Sequence, residues 1–344
     1  MYQSDKPLLN VLNGLEPSRR PVWLMRQAGR YLPEYRELRA KAEDFLNLCL
    51  TPEWAAEITV QPIRRFDFDA AILFADILLI PYALGQKLEF REGEGPVLEK
   101  VTDEQSLAHL RYEDKKLQAV YETLGLVKAQ LPKETTLIGF CGAPWTVACY
   151  MIDGNSKKNF AEAKLWVKNK PDLLATLIEH LIDASEIYLS HQIDAGAECL
   201  QIFDSWSGLL SANDFRRWVI EPTKILVARM KAKYPHIPII GFPREAGQAY
   251  EAYIRESGVD AVGIDQQVDL DYAKKVLQPI KPLQGNLPPE WLVEGGAAMK
   301  AGLEKIMRTF GTKHIVNLGH GVVPQTPPEH VAELVKFVRE FKGL

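Results

Sequence analysis

Thr136-Leu137-Ile138-Gly139-Phe140 is a short run of apolar and β-branched residues with no polar alternation, and it passes straight into the turn-forming stretch Cys141-Gly142-Ala143-Pro144-Trp145. A strand with one wet face would alternate apolar and polar residues; a continuous run is the mark of a parallel strand covered on both faces. Working outward, the same kind of run recurs at Val22–Met25, Ala70–Phe74, Cys199–Phe203, Ile237–Phe242, Ala261–Ile264, Pro282–Gln284 and Ile315–Leu318. Each is followed by turn residues and then by helical periodicity. Thr51-Pro52 places a cap and a first-turn proline ahead of Glu53–Phe66. Pro171 opens a long amphipathic stretch that Gly196 closes. Ser211-x-x-Asp214 resembles a capping box before Phe215–Tyr234, a helix that Pro222 should kink or split. Asp269 can cap Leu270–Leu277, and Thr326-Pro327 can start the last helix. Eight strands alternating with helices predict an α/β protein, a single-domain (β/α)8 barrel of TIM type. An open doubly wound sheet is the runner-up, but the first strand lacks a G-x-G-x-x-G turn.

In such a barrel, the residues just after the strands face the active site. The first strand ends in Met25-Arg26-Gln27-Ala28-Gly29-Arg30, two arginines four apart with a glycine between them. Arginine offers parallel N–H donors and stays charged at any working pH, so the pair suits a carboxylate or phosphate. The alternative is two solvated arginines, with Arg30 pairing weakly with Glu34. Residues 17–41 carry seven cations against two acids, a local balance of +5, on a chain whose net charge is −4. That pattern favours an acidic small molecule and gives no support to nucleic-acid binding.

Asp76 lies in Phe74-Ala75-Asp76-Ile77-Leu78-Leu79-Ile80-Pro81, almost wholly apolar surroundings. Aspartate is rarely buried without a partner. It is either a capping or ion-paired carboxylate at a turn or a functional one, and the nearby arginines favour the second. His320 stands between Gly319 and Gly321, which leaves room for a ligand to approach. By spacing alone it reads as a structural histidine, because no second ligand lies at metal-binding spacing. Tyr150 and Ser205 are open between ordinary hydrogen bonding and function. Phe203-Asp204-Ser205, Phe242-Pro243-Arg244, Asp265 and Gly285-Asn286 complete the strand ends, a set suited to a large, partly apolar ligand with charged arms.

Cys49, Cys141, Cys149 and Cys199 form no C-x-x-C pair and read as reduced, buried thiols of a cytoplasmic protein. The N-terminus has no basic-then-apolar signal arrangement, and the stretch Ala70–Gly85 is too short to span a membrane.

Together these motifs resemble the uroporphyrinogen decarboxylase family. The segment from Pro21 through Trp23, Met25 and Arg26 to Pro33 resembles its first signature. Gly139-Phe140-x-Gly142-Ala143-Pro144-Trp145-Thr146, running on to Tyr150-Met151, resembles its second. Gln61-Pro62-x-Arg64-Arg65-Phe66, the Asp76 segment, Phe203-Asp204-Ser205, Gln284-Gly285-Asn286-Leu287 and Asn317-Leu318-Gly319-His320-Gly321 follow in order. The resemblance implies a (β/α)8 barrel, usually a homodimer, that uses no metal or organic cofactor. It implies conversion of uroporphyrinogen III to coproporphyrinogen III in porphyrin synthesis, each acetate arm losing CO2 and becoming methyl. It also implies that Arg26, Gln27, Ala28, Gly29, Arg30, Asp76, Tyr150, Ser205 and His320 contact the tetrapyrrole, with Asp76 and Arg26 catalytic. Two departures are visible: Arg244 stands where many members have a lysine, and Ala75 replaces a common serine. The competing readings are a zinc-dependent corrinoid or thiol methyltransferase on a related barrel, and a non-catalytic porphyrin carrier.

Overall fold

A computed structural model describes residues 4–91, 93–157 and 159–342. Nine strands are named here in chain order: β1 Ala70–Ile72, β2 Leu88–Arg91, β3 Gly95–Leu98, β4 Thr136–Gly142, β5 Cys199–Asp204, β6 Ile239–Pro243, β7 Ala261–Gly263, β8 Leu283–Leu287 and β9 His314–Leu318. Seven of them form a parallel sheet in the order β1-β4-β5-β6-β7-β8-β9. Apart from partly open Phe203 in β5, every residue of these seven strands is buried, as the continuous apolar runs require.

The eighth strand expected at Val22–Met25 is reduced to one bridge, Val22 to Val316. The segment nevertheless closes the ring. The Val316 amide donates to the Pro21 carbonyl at 2.9 Å, that of Trp23 to the Val316 carbonyl at 3.3 Å, and that of Asp69 to the Val22 carbonyl at 3.0 Å. Pro21 has no N–H to offer a ladder. Side chains take over the next positions: Asp69 Oδ2 accepts from the Val22 amide at 2.7 Å and Asn317 Oδ1 from the Met25 amide at 3.0 Å. The interior of the ring is filled rather than open. Trp23 Nε1 donates to Gln284 Oε1 (2.9 Å), and Gln284 Nε2 donates to Gln201 Oε1 (3.1 Å), all three side chains buried. Each such bond contributes about 1 kcal/mol net, and breaking one strands a buried polar group.

Helix boundaries follow the sequence signals with some exchanges. Pro52–Phe66 begins at its proline, but the Thr51 hydroxyl donates back to the Asn47 carbonyl instead of capping. Pro171–Asp194 ends just before Gly196, whose φ of +119° a side chain would resist. Ser211 caps its helix, and a π-helical turn at Arg216–Ile220 precedes Pro222. That wider turn accommodates a residue that lacks an N–H and crowds the carbonyl four positions back. Asp269 caps as expected, accepting from the Tyr272 amide at 2.9 Å, although the helix passes into a π-turn at Ala273–Leu277. The antiparallel hairpin β2–β3 was not anticipated; its strands are short and mostly half-exposed. Among the described residues, no helix is long and apolar enough to cross a membrane.

Candidate active site

The arginine loop hangs from two strands. Leu24 donates its amide to Gln27 Oε1 (3.1 Å), and Gln27 Nε2 reaches the Ala70 carbonyl at the start of β1 (2.9 Å). On the other side, the Val322 amide donates to the Met25 carbonyl at 2.8 Å. These ties turn the chain so tightly that Arg26 adopts φ +60°. A left-handed conformation costs a non-glycine residue about 1–2 kcal/mol, and such strain gathers at functional positions. Gln27 itself is fully buried, so it positions the loop from beneath. Beyond it, the amides of Ala28, Gly29 and Arg30 donate to no acceptor among the described residues. Three successive amides without a protein acceptor thus stand in the same loop as two guanidiniums, a main-chain feature no residue motif announces.

Asp76 follows β1 and is half-buried beside this loop. One carboxylate oxygen accepts from the Leu78 amide at 2.9 Å. Burial raises its pKa above the ordinary aspartate value; the Leu78 bond and the Arg26 charge pull the other way without overcoming it. Arg26 keeps solvent access while protein crowds around it. Desolvation lowers its pKa, Asp76 and Tyr150 oppose that, and Arg244 and Arg30 add to it. Tyr150 is a weaker acid than usual, first through burial, with Asp76 adding to that shift and Trp206 and Arg26 opposing it. Asp76, Arg26 and Tyr150 therefore lie within electrostatic reach of one another.

His320 is neutral: burial, then Arg26 and Arg244, press its pKa down to about 3. Its Nδ1 accepts from the Gly321 amide at 2.6 Å, which leaves the proton on Nε2. The flanking glycines make room for protein rather than ligand. A Cβ on Gly321 would strike the Arg26 stem, and one on Gly319 would strike the Gln266 backbone. Ser205 follows β5, half-buried, and its hydroxyl has no partner among the described residues. Phe203 stands edge-on to Phe140 and Phe242, with centroids 5.6 and 6.3 Å away, giving the mouth an aromatic floor. Phe160 and Trp206 wall in Tyr150, at 5.0 and 6.3 Å. Neither was a candidate from sequence, because only the fold brings them there.

Other strand-end residues serve the frame. Asp265 is buried and accepts from the Glu245 and Gln267 amides and from the Tyr250 hydroxyl. Asn286 donates to the carbonyls of Asp265 and Val268, both at 3.0 Å. Asp204 is buried and accepts from the Thr146 hydroxyl at 2.5 Å; burial pushes its pKa up to about 7, the Thr146 bond opposing. Arg30 is exposed and does not pair with Glu34, which Arg65 takes at 3.2 Å. Arg244, read from sequence as a strand-end residue and as a departure from the family pattern, lies close enough to shift both Arg26 and His320.

The model of the family described as uroporphyrinogen decarboxylase (URO-D) matches residues 3–341. The chain belongs to the uroporphyrinogen decarboxylase family. A relative of that name from Rhodospirillum rubrum is 51% identical over 340 residues, covering 98% of each chain. Another, from Granulibacter bethesdensis, is 52% identical over 341 residues, covering 97% of this chain and 99% of its own. Among solved structures, a methyltransferase from Methanosarcina mazei superposes with a TM-score of 0.81 over 99% of both chains at 20% identity. At that identity the likeness shows the barrel fold alone. Among the described residues, no group of three His, Cys, Asp or Glu side chains is arranged to hold a metal ion.

Proposed function

We propose that this member of the decarboxylase family removes the acetate carboxyls of uroporphyrinogen III in the barrel mouth, giving coproporphyrinogen III and CO2. The observation that carries the reading is the meeting of Asp76, Arg26 and Tyr150 beside an aromatic floor, with His320 adjoining. An apolar floor suits the pyrrole rings, and the arginines with the Ala28–Arg30 amides suit the carboxylate arms.

Loss of CO2 leaves an electron pair on a methylene carbon. A pyrrole protonated at a ring carbon takes up that pair and becomes neutral. The methylene then receives a proton and the ring carbon gives one back, so each acetate consumes one proton overall. Asp76 accepts the pyrrole N–H bonds and stabilises the ring cation by preorganised electrostatics. Arg26 and Arg30 hold the arms and fix the ring's orientation. The pKa directions bear on the acid: neutral His320 and the weakened Tyr150 hydroxyl are poor donors. Of these groups Asp76 is the one whose shift eases protonation, so it is assigned as the acid, and its carboxylate then faces the cation it has made. Ser205 and Tyr150 complete the contacts with the substrate.

Asp76→Asn keeps size and the Leu78 bond but removes both charge and acid. Its kcat on uroporphyrinogen III, assayed anaerobically, should fall about 10²–10³-fold, the scale seen when a preorganised group is lost, while Tm stays near that of the parent. A kcat within threefold of the parent overturns the assignment.

The whole chain is read as one catalytic domain, supported by an apolar core running from Leu8 to Val338. A cytoplasmic homodimer completes the reading. The free, buried cysteines suit a reducing compartment, and sedimentation equilibrium tests the dimer.

A further inference from the structure

We propose that Arg244 is an additional substrate-binding residue, which with Arg26 grips one carboxylate arm of the tetrapyrrole between two guanidiniums. The proposal rests on the placement of the substrate in the barrel mouth argued above.

Arg244 is the first residue after β6, and its main chain is fixed on both sides. Its amide donates to the carbonyls of Asp204 and Phe242, each at 3.1 Å. Its carbonyl accepts from the Ser207 hydroxyl at 2.7 Å and from the Gly208 amide at 3.2 Å. The turn after β6 is thereby tied to the turn after β5 that carries Ser205, and the Arg244 side chain leaves from a rigid base. That side chain is 19% exposed. One terminal nitrogen pairs with the Glu245 carboxylate, and Nε is buried with no partner among the described residues. A guanidinium has five N–H groups, and each one buried without an acceptor is a standing cost.

The charges point the same way. Arg244 acts on both Arg26 and His320, depressing the pKa of each. Two guanidiniums brought together repel unless an anion lies between them. Asp76 acts on Arg26, and Glu245 answers only one edge of the Arg244 fork. A neighbouring-residue pair such as Arg244–Glu245, with Glu245 on the surface, contributes little by itself. A polycarboxylate that enters this mouth can meet the part of the Arg244 side chain that stays exposed, and the planar fork makes arginine the better grip than a point-charged lysine.

The test compares Arg244→Gln and Arg244→Lys with Arg26→Gln and with Arg229→Gln, a control on the outer surface. Arg229 pairs with Asp183 and Glu186, away from the mouth. KM and kcat are measured on uroporphyrinogen III under anaerobic conditions, with Tm alongside. Arg244→Gln should raise KM about ten- to thirtyfold, the loss expected for a charged hydrogen bond to a carboxylate, with kcat within about threefold. Arg244→Lys should recover part of the loss, and Arg229→Gln should leave KM unchanged. Should Arg244→Gln fold poorly, Arg244→Lys carries the test alone with a KM rise of about threefold or more. KM within twofold of the parent in a folded Arg244 variant, or an equal rise in Arg229→Gln, overturns the proposal. If Arg26→Gln also leaves both constants unchanged, the placement of substrate in the mouth fails as well; if only Arg26→Gln is impaired, Arg244 alone is misassigned.

Discussion

The two ends of the barrel each hold an aspartate among arginines, and the chain uses them in opposite ways. Asp69, just before β1, is fully buried and fully answered. Arg19 Nε reaches one oxygen at 2.7 Å; the Val22 amide (2.7 Å) and Arg339 (2.8 Å) take the other. Asp76, seven residues later at the opposite end, accepts from one amide, and its arginine neighbour acts on it through space. The first set answers both carboxylate oxygens with protein donors. The second leaves carboxylate capacity without a protein partner, open to the substrate proposed above. Only six residues of one strand and its turns lie between a structural carboxylate and the one proposed to be chemical, so partners, and not residue type, decide the role.

The sharpest way to break this comparison is Asp69→Ala. It strands Arg19, Arg339 and the buried Val22 amide at the seam that closes the ring. The expected loss is about 3 kcal/mol, the lower end for a broken buried pair because Arg19 can turn to solvent. Urea unfolding reads that loss, and kcat per folded molecule should be unchanged. A fall in kcat with intact stability would dissolve the distinction between the ends.

A subtler effect sharpens it. Asp204, behind the mouth, has a folded pKa pushed up to about 7 against an ordinary value of 3.8. In that window the folded state binds the extra proton, so this group's contribution to stability is full below pH 3.8 and lost as pH rises through 7. Asp204→Asn keeps an oxygen for the Thr146 hydroxyl and has no such proton to lose. Its stability relative to the parent should therefore rise between pH 5 and pH 8, by about 1.4 kcal/mol per unit at most. A difference that does not change with pH would mean Asp204 is ionised throughout.

Much of this was legible before the fold was known, for reasons that differ by element. Seven parallel strands could be read because each is sealed on both faces and carries a mostly apolar run without polar alternation. Val22–Met25 carries such a run too, yet it makes one bridge, because Pro21 and the side chains of Asp69 and Asn317 replace the ladder. The β2–β3 hairpin escaped notice because its strands are short and not sealed, although Gly93 and Gly95 gave a turn signal. At the site, Asp76 and Arg26 stood out because a charge in apolar surroundings demands a partner. The free amides of Ala28–Arg30, the Phe160–Trp206 wall and the reach of Arg244 depend on contacts between distant turns, which no local pattern encodes. Gly319 and Gly321 taught a further lesson. Their missing side chains are real constraints, but the space belongs to Gln266 and to the Arg26 stem.

The most direct test of the central claim is a structure of the protein crystallised anaerobically with coproporphyrinogen III. The account predicts pyrrole nitrogens within hydrogen-bonding distance of the Asp76 carboxylate, rings on the Phe140–Phe203–Phe242 floor and propionate arms on the arginines. A tetrapyrrole bound elsewhere, or seated in the mouth with Asp76 turned away from its nitrogens, would contradict it.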